Sequence, residues 1–416
     1  MQTGQTLRGA TRLAFDAVES VTDIVEGMYR NISAAPLPFG EEPQGSALGI
    51  AGFVHGAIRK VNGGVRDATD FALRPLSAPL DRVYPPGPQR EAAVAALNGV
   101  CGDHLECSGN PLAIPLELRV FLASNRGTDP SDPAAKPLAL YPRSKPQASG
   151  EVGFQATGRI LVLAHGLCMN DRDWSWEGHN HGQELADAFD YTPVYLRYNS
   201  GRHISTNGRE FAAALEQLVV DWPVPIESLT LVGFSMGGLV TRSALQIAEE
   251  QRLGWFGKVD RVAYVSTPHH GAVMERGGFW LHKSMTFSPY TAPLAALARI
   301  RSTGITDLRH GNVLEADWQG HDTHVDNSDR RQPVPLAPGI EHYALAATLS
   351  KQPGERIGRL LGDGLVHPSS ATGRHANPQR DLSFDESHVR ILYGQSHLGM
   401  LSDPRVSDCL RGWLGK

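Results

Sequence analysis

The chain has 416 residues, of which 41% are hydrophobic and 20% charged, with a formal net charge of −5 at neutral pH. That balance is ordinary for a globular protein and offers no global attraction to nucleic acid, and the length allows a large catalytic domain plus an appendage, because single cores stop growing at roughly 250–300 residues. The first residues lack a basic stretch followed by an unbroken apolar run, and about 18 consecutive apolar residues occur nowhere, so neither a secretory signal nor a membrane span is expected and the expected location is cytoplasmic.

From Leu7 to Met28 apolar residues recur every three or four positions with charges between them, which predicts an amphipathic helix. A second such pattern runs from Ile50 to Phe71, weakened by Gly63-Gly64, and an Ala-rich third runs from about Gln89 to Leu97. Pro-rich joints separate them, so residues 1–110 are expected to form a helical module and 111–416 a second domain. Up to Glu91 there are 9 basic and 10 acidic residues; without a basic face, self-association or packing on the rest of the chain is favoured over peripheral contact with a membrane or lipid granule. Cys101 and Cys107 lie close enough to close a small loop, with two free thiols as the alternative, while Cys168 and Cys409 read as ordinary thiols.

After Pro111 the pattern changes. Leu116 to Leu122 alternates as a half-buried strand, and a polar stretch from Thr128 to Gly150 is expected as loop. Short apolar runs then alternate with helical segments: Arg159–Ala164, Thr192–Tyr198, Ser228–Gly233, Val259–Ser266, His342–Thr348 and Val389–Tyr393. Strands buried on both faces and separated by helices predict a mostly parallel sheet flanked by helices.

Gly233-Phe234-Ser235-Met236-Gly237 directly follows one of these strands and directly precedes a helix-compatible stretch. The five-residue pattern alone is a weak signal, but strand, tight turn and helix is the setting of a nucleophile elbow on an α/β-hydrolase fold, where the flanking Gly233 and Gly237 admit close backbone approach. Ser235 is then the nucleophile. The run Ile160 to Ala164 leads into His165-Gly166-Leu167, so the backbone N–H groups of Leu167 and Met236 are the expected oxyanion hole, with His165 a structural residue of its turn. His397 follows the last strand and can reach the same sheet edge as the elbow, whereas His388 precedes that strand and belongs at its opposite end. Asp363, in a Gly-flanked loop, is the expected acid; the alternative is a plain Asp-Gly turn there, with Asp385 as acid.

Together, His165-Gly166-Leu167, Gly233-Phe234-Ser235-Met236-Gly237, Thr267-Pro268-His269-His270-Gly271, Asp363-Gly364-Leu365-Val366 and His397-Leu398 resemble the motifs of bacterial triacylglycerol lipases and the related GPI inositol-deacylase-like hydrolases, over roughly residues 155 to 410. The resemblance implies a triad of Ser235, Asp363 and His397. The secreted lipases usually carry an acidic calcium ligand just beyond His-Leu, but Gly399 and Met400 stand there, so no such calcium site is expected, nor any other metal or cofactor.

Roughly 75 residues separate the strands ending at Ser266 and starting at His342, more than a connecting loop needs, which predicts a cap insertion over about 268–341. Its Phe279, Trp280, Leu281 and Phe287 would suit an acyl or other apolar substrate, or simply pack the cap on the core. The pairs His179/His181 and His321/His324 lack a convincing third metal ligand. The expected activity is hydrolysis of a small-molecule or lipid ester. A lipid-surface or partner-binding protein without turnover, and an acyltransferase or thioesterase with the same triad, are the alternatives.

Overall fold

The computed structural model describes residues 6, 8–14, 63, 67, 87–122, 136–142, 154–272, 302–320, 329, 331–353 and 362–415. The expected helices Leu7–Met28, beyond residue 14, and Ile50–Phe71, apart from residues 63 and 67, lie outside them, as do Phe279, Trp280, Leu281, Phe287, His321 and His324. The chain divides into two compact units, Met1–Gly87 with Leu105–Ala113, and Pro88–His104 with Ile114–Lys416. Within the first, the side chain of Asn110 donates to the Gly9 carbonyl at 3.0 Å and that of Arg12 to the Gly109 carbonyl at 3.2 Å.

The second unit is built on an eight-stranded sheet of β1 (Glu117–Leu122), β2 (Lys136–Tyr141), β3 (Arg159–Ala164), β6 (Tyr191–Arg197), β7 (Ser228–Phe234), β8 (Val259–Val265), β9 (Glu341–Thr348) and β10 (Val389–Tyr393). Its order is β10-β9-β8-β7-β3-β6-β1-β2, parallel from β10 to β6; β1 runs antiparallel to both its neighbours, so β2 points the same way as the parallel strands. A two-stranded hairpin, β4 (Ser175–Trp176) and β5 (His179–Asn180), stands apart.

Successive residues of a strand point to opposite faces, so a strand apolar at every position feeds two cores. Ile160 and Val162 of β3 pack on one face with the helices Ile204–Asp221 and Met236–Gln251, through Phe211, Leu215, Leu239 and Ala244. Leu161 and Leu163 pack on the other with the helices His181–Phe189 and Pro404–Leu414, through Leu185, Val406 and Leu410. The parallel strands end at one edge, and the loops leaving that edge carry the chemistry.

One expectation is corrected. The stretch from Thr128 to Gly150, expected as loop, contains β2, which pairs antiparallel with β1. Pro137 argues against a central strand, but β2 is the outermost strand of the sheet, where proline is tolerated. The Ala-rich helix also runs farther than expected, over Pro88–Cys107, with a kink at Cys101. Cys101 and Cys107 are both free thiols.

Candidate active site

Ser235 stands between β7 and the helix Met236–Gln251 with φ 53° and ψ −122°, a conformation L-residues rarely adopt. Its N–H donates to the Val265 carbonyl of β8 at 2.9 Å, which ties the turn to the neighbouring strand. The flanking glycines are required by contact. A Cβ on Gly237 would stand 2.1 Å from the Ala164 carbonyl oxygen, and one on Gly233 would stand 2.5 Å from Gly238 Cα. Neither approach is physically possible, so the turn closes onto its helix only because residue 233 is glycine, and the helix packs against the end of β3 only because residue 237 is glycine.

The His165-Gly166-Leu167 turn leaves β3 beside the elbow, and a Cβ on Gly166 would lie 3.2 Å from Ser235 Cβ. His165 is fully buried, with its ring stacked on Tyr198 at 4.3 Å and its carbonyl accepting from the Tyr198 hydroxyl at 2.8 Å. Burial pulls its pKa down to about 4, so it is neutral at physiological pH and serves the turn. Met236 opens its helix, where the first N–H groups have no partner within the helix and the dipole favours negative charge.

His397 lies beyond β10 at the same sheet edge, its ring 4.9 Å from that of Phe234. Its Nδ1 is 2.8 Å from Asp363 Oδ2, and its backbone N–H donates to the Asp363 carbonyl at 3.0 Å. The other Asp363 oxygen, Oδ1, accepts from the N–H groups of Leu365 at 3.0 Å and Val366 at 2.9 Å. Gly362 and Gly364, with φ of 56° and 101°, make the turn that directs this carboxylate inward. Ser235, His397 and Asp363 are all buried, and Ser235 and His397 line one pocket with Gly166, Leu167, Met169, Phe234, Pro268, Ala272, Leu308, Leu365 and Val366.

The alternatives lie elsewhere. Asp385 is exposed and spends its carboxylate on the N–H and hydroxyl of Ser387, ahead of β10. His388 also precedes β10, where its Nδ1 meets the His342 carbonyl at 3.2 Å. His179 and His181 face each other at 2.9 Å and share the Ser407 hydroxyl, while His181 Nε2 meets the Met400 carbonyl at 2.8 Å, behind the His397 loop.

Sequence reasoning missed a buried ionic group close to His165. Burial alone would raise the pKa of the fully buried Asp171, but Arg119 and Arg197 outweigh it and hold the carboxyl below its usual range. Arg119 Nη1 reaches its Oδ2 at 3.3 Å, and Arg197 Nε lies 3.8 Å from its Oδ1. Asp171 alone reads as one charge in a polar stretch; its partners lie on β1 and β6, which only the fold brings together.

Residues 155–335 match the family model described as the PGAP1-like alpha/beta domain. No curated protein matches the chain. Among solved structures it is similar to the mature form of Bacillus licheniformis lipase BlEst2, at 18% identity over 62% of this chain and 91% of that one, with a TM-score of 0.39. It is also similar to naproxen esterase (carboxylesterase NP) from Bacillus subtilis, at 14% identity over 62% of this chain and 83% of that one, TM-score 0.35. For the RedJ thioesterase of Streptomyces coelicolor the figures are 17%, 62% and 90%, with a TM-score of 0.36. Residues 155–335 thus carry the likeness to the PGAP1-like alpha/beta domain, and the chain that contains them has an α/β-hydrolase fold.

Proposed function

We propose that this protein is a serine-dependent carboxylic-ester hydrolase working through Ser235, His397 and Asp363 and an acyl-enzyme intermediate. One observation carries the reading: a buried imidazole held by a carboxylate at 2.8 Å opens into the same pocket as a serine on a strained strand-to-helix turn. His397 Nε2 takes the proton from the Ser235 hydroxyl as Oγ attacks the acyl carbon. The oxyanion that forms is stabilised by the N–H groups of Leu167 and Met236. Asp363 keeps the second imidazole proton on Nδ1 and offsets the charge that develops on the ring. The tetrahedral adduct expels the alcohol, which leaves with the proton from His397. Water, deprotonated by the same nitrogen, then releases the acid and restores the serine.

Leu167, Met169, Phe234, Ala272, Leu308, Leu365 and Val366 give the pocket an apolar lining, which supports an apolar acyl group in the substrate. No helix among the described residues is long and apolar enough to cross a membrane. We take the protein to act in the cytoplasm on a small or lipid-like ester. A fluorophosphonate probe tests the chemistry: it should label the wild type and not Ser235→Ala, and failure to label the folded wild type would sink the proposal. A chain-length series of p-nitrophenyl esters, with His397→Ala as control, then reads the depth of the pocket.

A further inference from the structure

The pocket that holds Ser235 has walls from distant parts of the chain. One is the turn Gly166-Leu167, which carries one of the two proposed oxyanion donors, and another is the helix Thr303–His310, which carries Leu308. Both rest on a third element, the helix Pro88–Cys107, which adds none of the described residues that line the pocket.

Gly99 of that helix lies against Cys168, the residue after Leu167. A Cβ on Gly99 would stand 2.2 Å from Cys168 Sγ and 2.9 Å from its Cα and its N. The Cys168 N–H donates to the Ser200 hydroxyl at 3.0 Å, and Cys168 has a φ of 61°, in the left-handed region that a side chain rarely adopts. The residue beyond the oxyanion donor is thus held by contact and by hydrogen bond in a conformation it would not take unaided.

The same stretch of helix carries the second wall. Ser302, which caps the helix Thr303–His310, donates its N–H to the Val100 carbonyl at 3.1 Å and its hydroxyl to the Gly99 carbonyl at 2.7 Å. The kink at Cys101 interrupts the helix just where these carbonyls accept from outside it. Asp103 Oδ2 accepts the Thr303 N–H at 2.8 Å, so a carboxylate stands at the first turn of the helix that bears Leu308, where unpaired N–H groups and the dipole favour it. The Leu308 carbonyl in turn accepts from the N–H of Ala272, another residue of the pocket, at 3.1 Å.

We propose, on the reading of Ser235 as the nucleophile, that Gly99 and Asp103 are positioning residues of the active site: the helix Pro88–Cys107 holds the oxyanion turn through Gly99 and the acyl wall through Asp103, and so keeps the two in register. Neither residue lines the pocket, so each acts through another. The two contacts differ in kinetic signature. An oxyanion donor acts on charge that exists only in the transition state, so displacing Cys168 and with it Leu167 lowers kcat and leaves KM. A pocket wall binds the acyl group before and during reaction, so loosening Leu308 changes KM and the preferred chain length. A helix that only stabilised the fold would lower the melting temperature and leave both parameters of the folded protein alone.

Steady-state kinetics of the full chain on p-nitrophenyl esters from acetate to octanoate, with rates of fluorophosphonate labelling, test this. Gly99→Ala should lower kcat on the butyrate and the labelling rate by at least about tenfold, with KM within about twofold; alanine is the better helix former, so the loss points to the contact with Cys168. Adding Cys168→Gly, which removes the closest atom and suits a φ of 61°, should restore at least about threefold of that loss. Asp103→Ala should raise KM about threefold to tenfold or move the preferred chain length, with kcat within about threefold. Thr303→Pro removes the N–H that Asp103 accepts, at a position where proline suits a helix, and in that background Asp103→Ala should add less than about twofold. Gly412→Ala, a helical glycine with no heavy atom within 4 Å, is the control and should leave every parameter within about twofold. A folded wild type that neither labels nor hydrolyses refutes the reading of Ser235 and this proposal with it. With an active wild type, a folded Gly99→Ala variant that keeps its kcat, or a folded Asp103→Ala variant that keeps its KM and chain-length preference, overturns the proposal alone. Circular dichroism verifies folding, and should Gly99→Ala not fold, its combination with Cys168→Gly and the Asp103 variants carry the test.

Discussion

Replacing Asp363 by asparagine isolates what the carboxylate does for the imidazole. Asp363 Oδ1 accepts two backbone N–H groups, from Leu365 and Val366, so the amide oxygen of an asparagine must stay on that side and its NH2 must face His397. Two donors cannot meet, so the imidazole Nδ1 must become an acceptor and the ring proton moves to Nε2, the nitrogen that has to accept the serine proton. The variant should fold, because every backbone contact of the turn is preserved, yet lose about 10⁴-fold in kcat, as a wrong-tautomer imidazole does in a serine triad. That corresponds to about 5 kcal/mol of transition-state stabilisation. Initial rates of p-nitrophenyl butyrate hydrolysis by the folded variant measure it. A kcat within about tenfold of the wild type would refute the assignment of Asp363 as the group that orients His397.

Ser235→Gly should abolish fluorophosphonate labelling and yet raise stability by about 1 kcal/mol, since glycine adopts φ 53° without the steric cost that serine bears; a lower melting temperature would contradict the strain argument. Gly237→Ala drives a Cβ to 2.1 Å from the Ala164 carbonyl and should cost at least about 100-fold in activity or prevent folding, whereas Gly412→Ala, with no heavy atom within 4 Å, should be neutral or stabilising by about 0.5–1 kcal/mol. Burial holds His165, His181, His270 and His342 down at about 4 and His269 well below its usual range, so unfolding takes up protons and stability is lost as pH falls from about 6.5 towards 4. Asp173, pushed up to about 7 by burial, works in the opposite sense, because its stabilising contribution is lost as pH rises through that value. Five histidines against one carboxyl leave a net loss of up to about 5 kcal/mol per pH unit, and urea midpoints at pH 7, 6 and 5 that do not decrease would contradict it.

How much of this could be read from the chain depends on where each signal resides. β3 was legible because Ile160 to Ala164 are buried on both faces and admit no polar residue, and β10, at the sheet edge with Arg390 and Ile391 exposed, was legible from its apolar residues alone. β2 was hidden because Lys136 and Pro137 open a strand that pairs on one side only. The site residues were legible wherever chain order and a local motif agree: Ser235 through its strand and helix, His397 through its place after the last strand, Asp363 through the glycines around it. Asp103 was not. It reads as an ordinary charge beyond an Ala-rich helix, and its place follows from the approach of Thr303, far away in sequence.

Ser235 and Ser266 leave adjacent strands in the same way, with φ of 53° and 47°, and each donates its N–H to a carbonyl of the next strand over, that of Val265 and that of Leu345. The Ser235 hydroxyl therefore takes its coordinates from the ladder of the sheet. Exchanging side chains of the pocket wall, such as Leu308 and Leu365, should therefore change which molecules fit beside the serine while leaving it where it stands, and that makes the wall the place to retarget the protein.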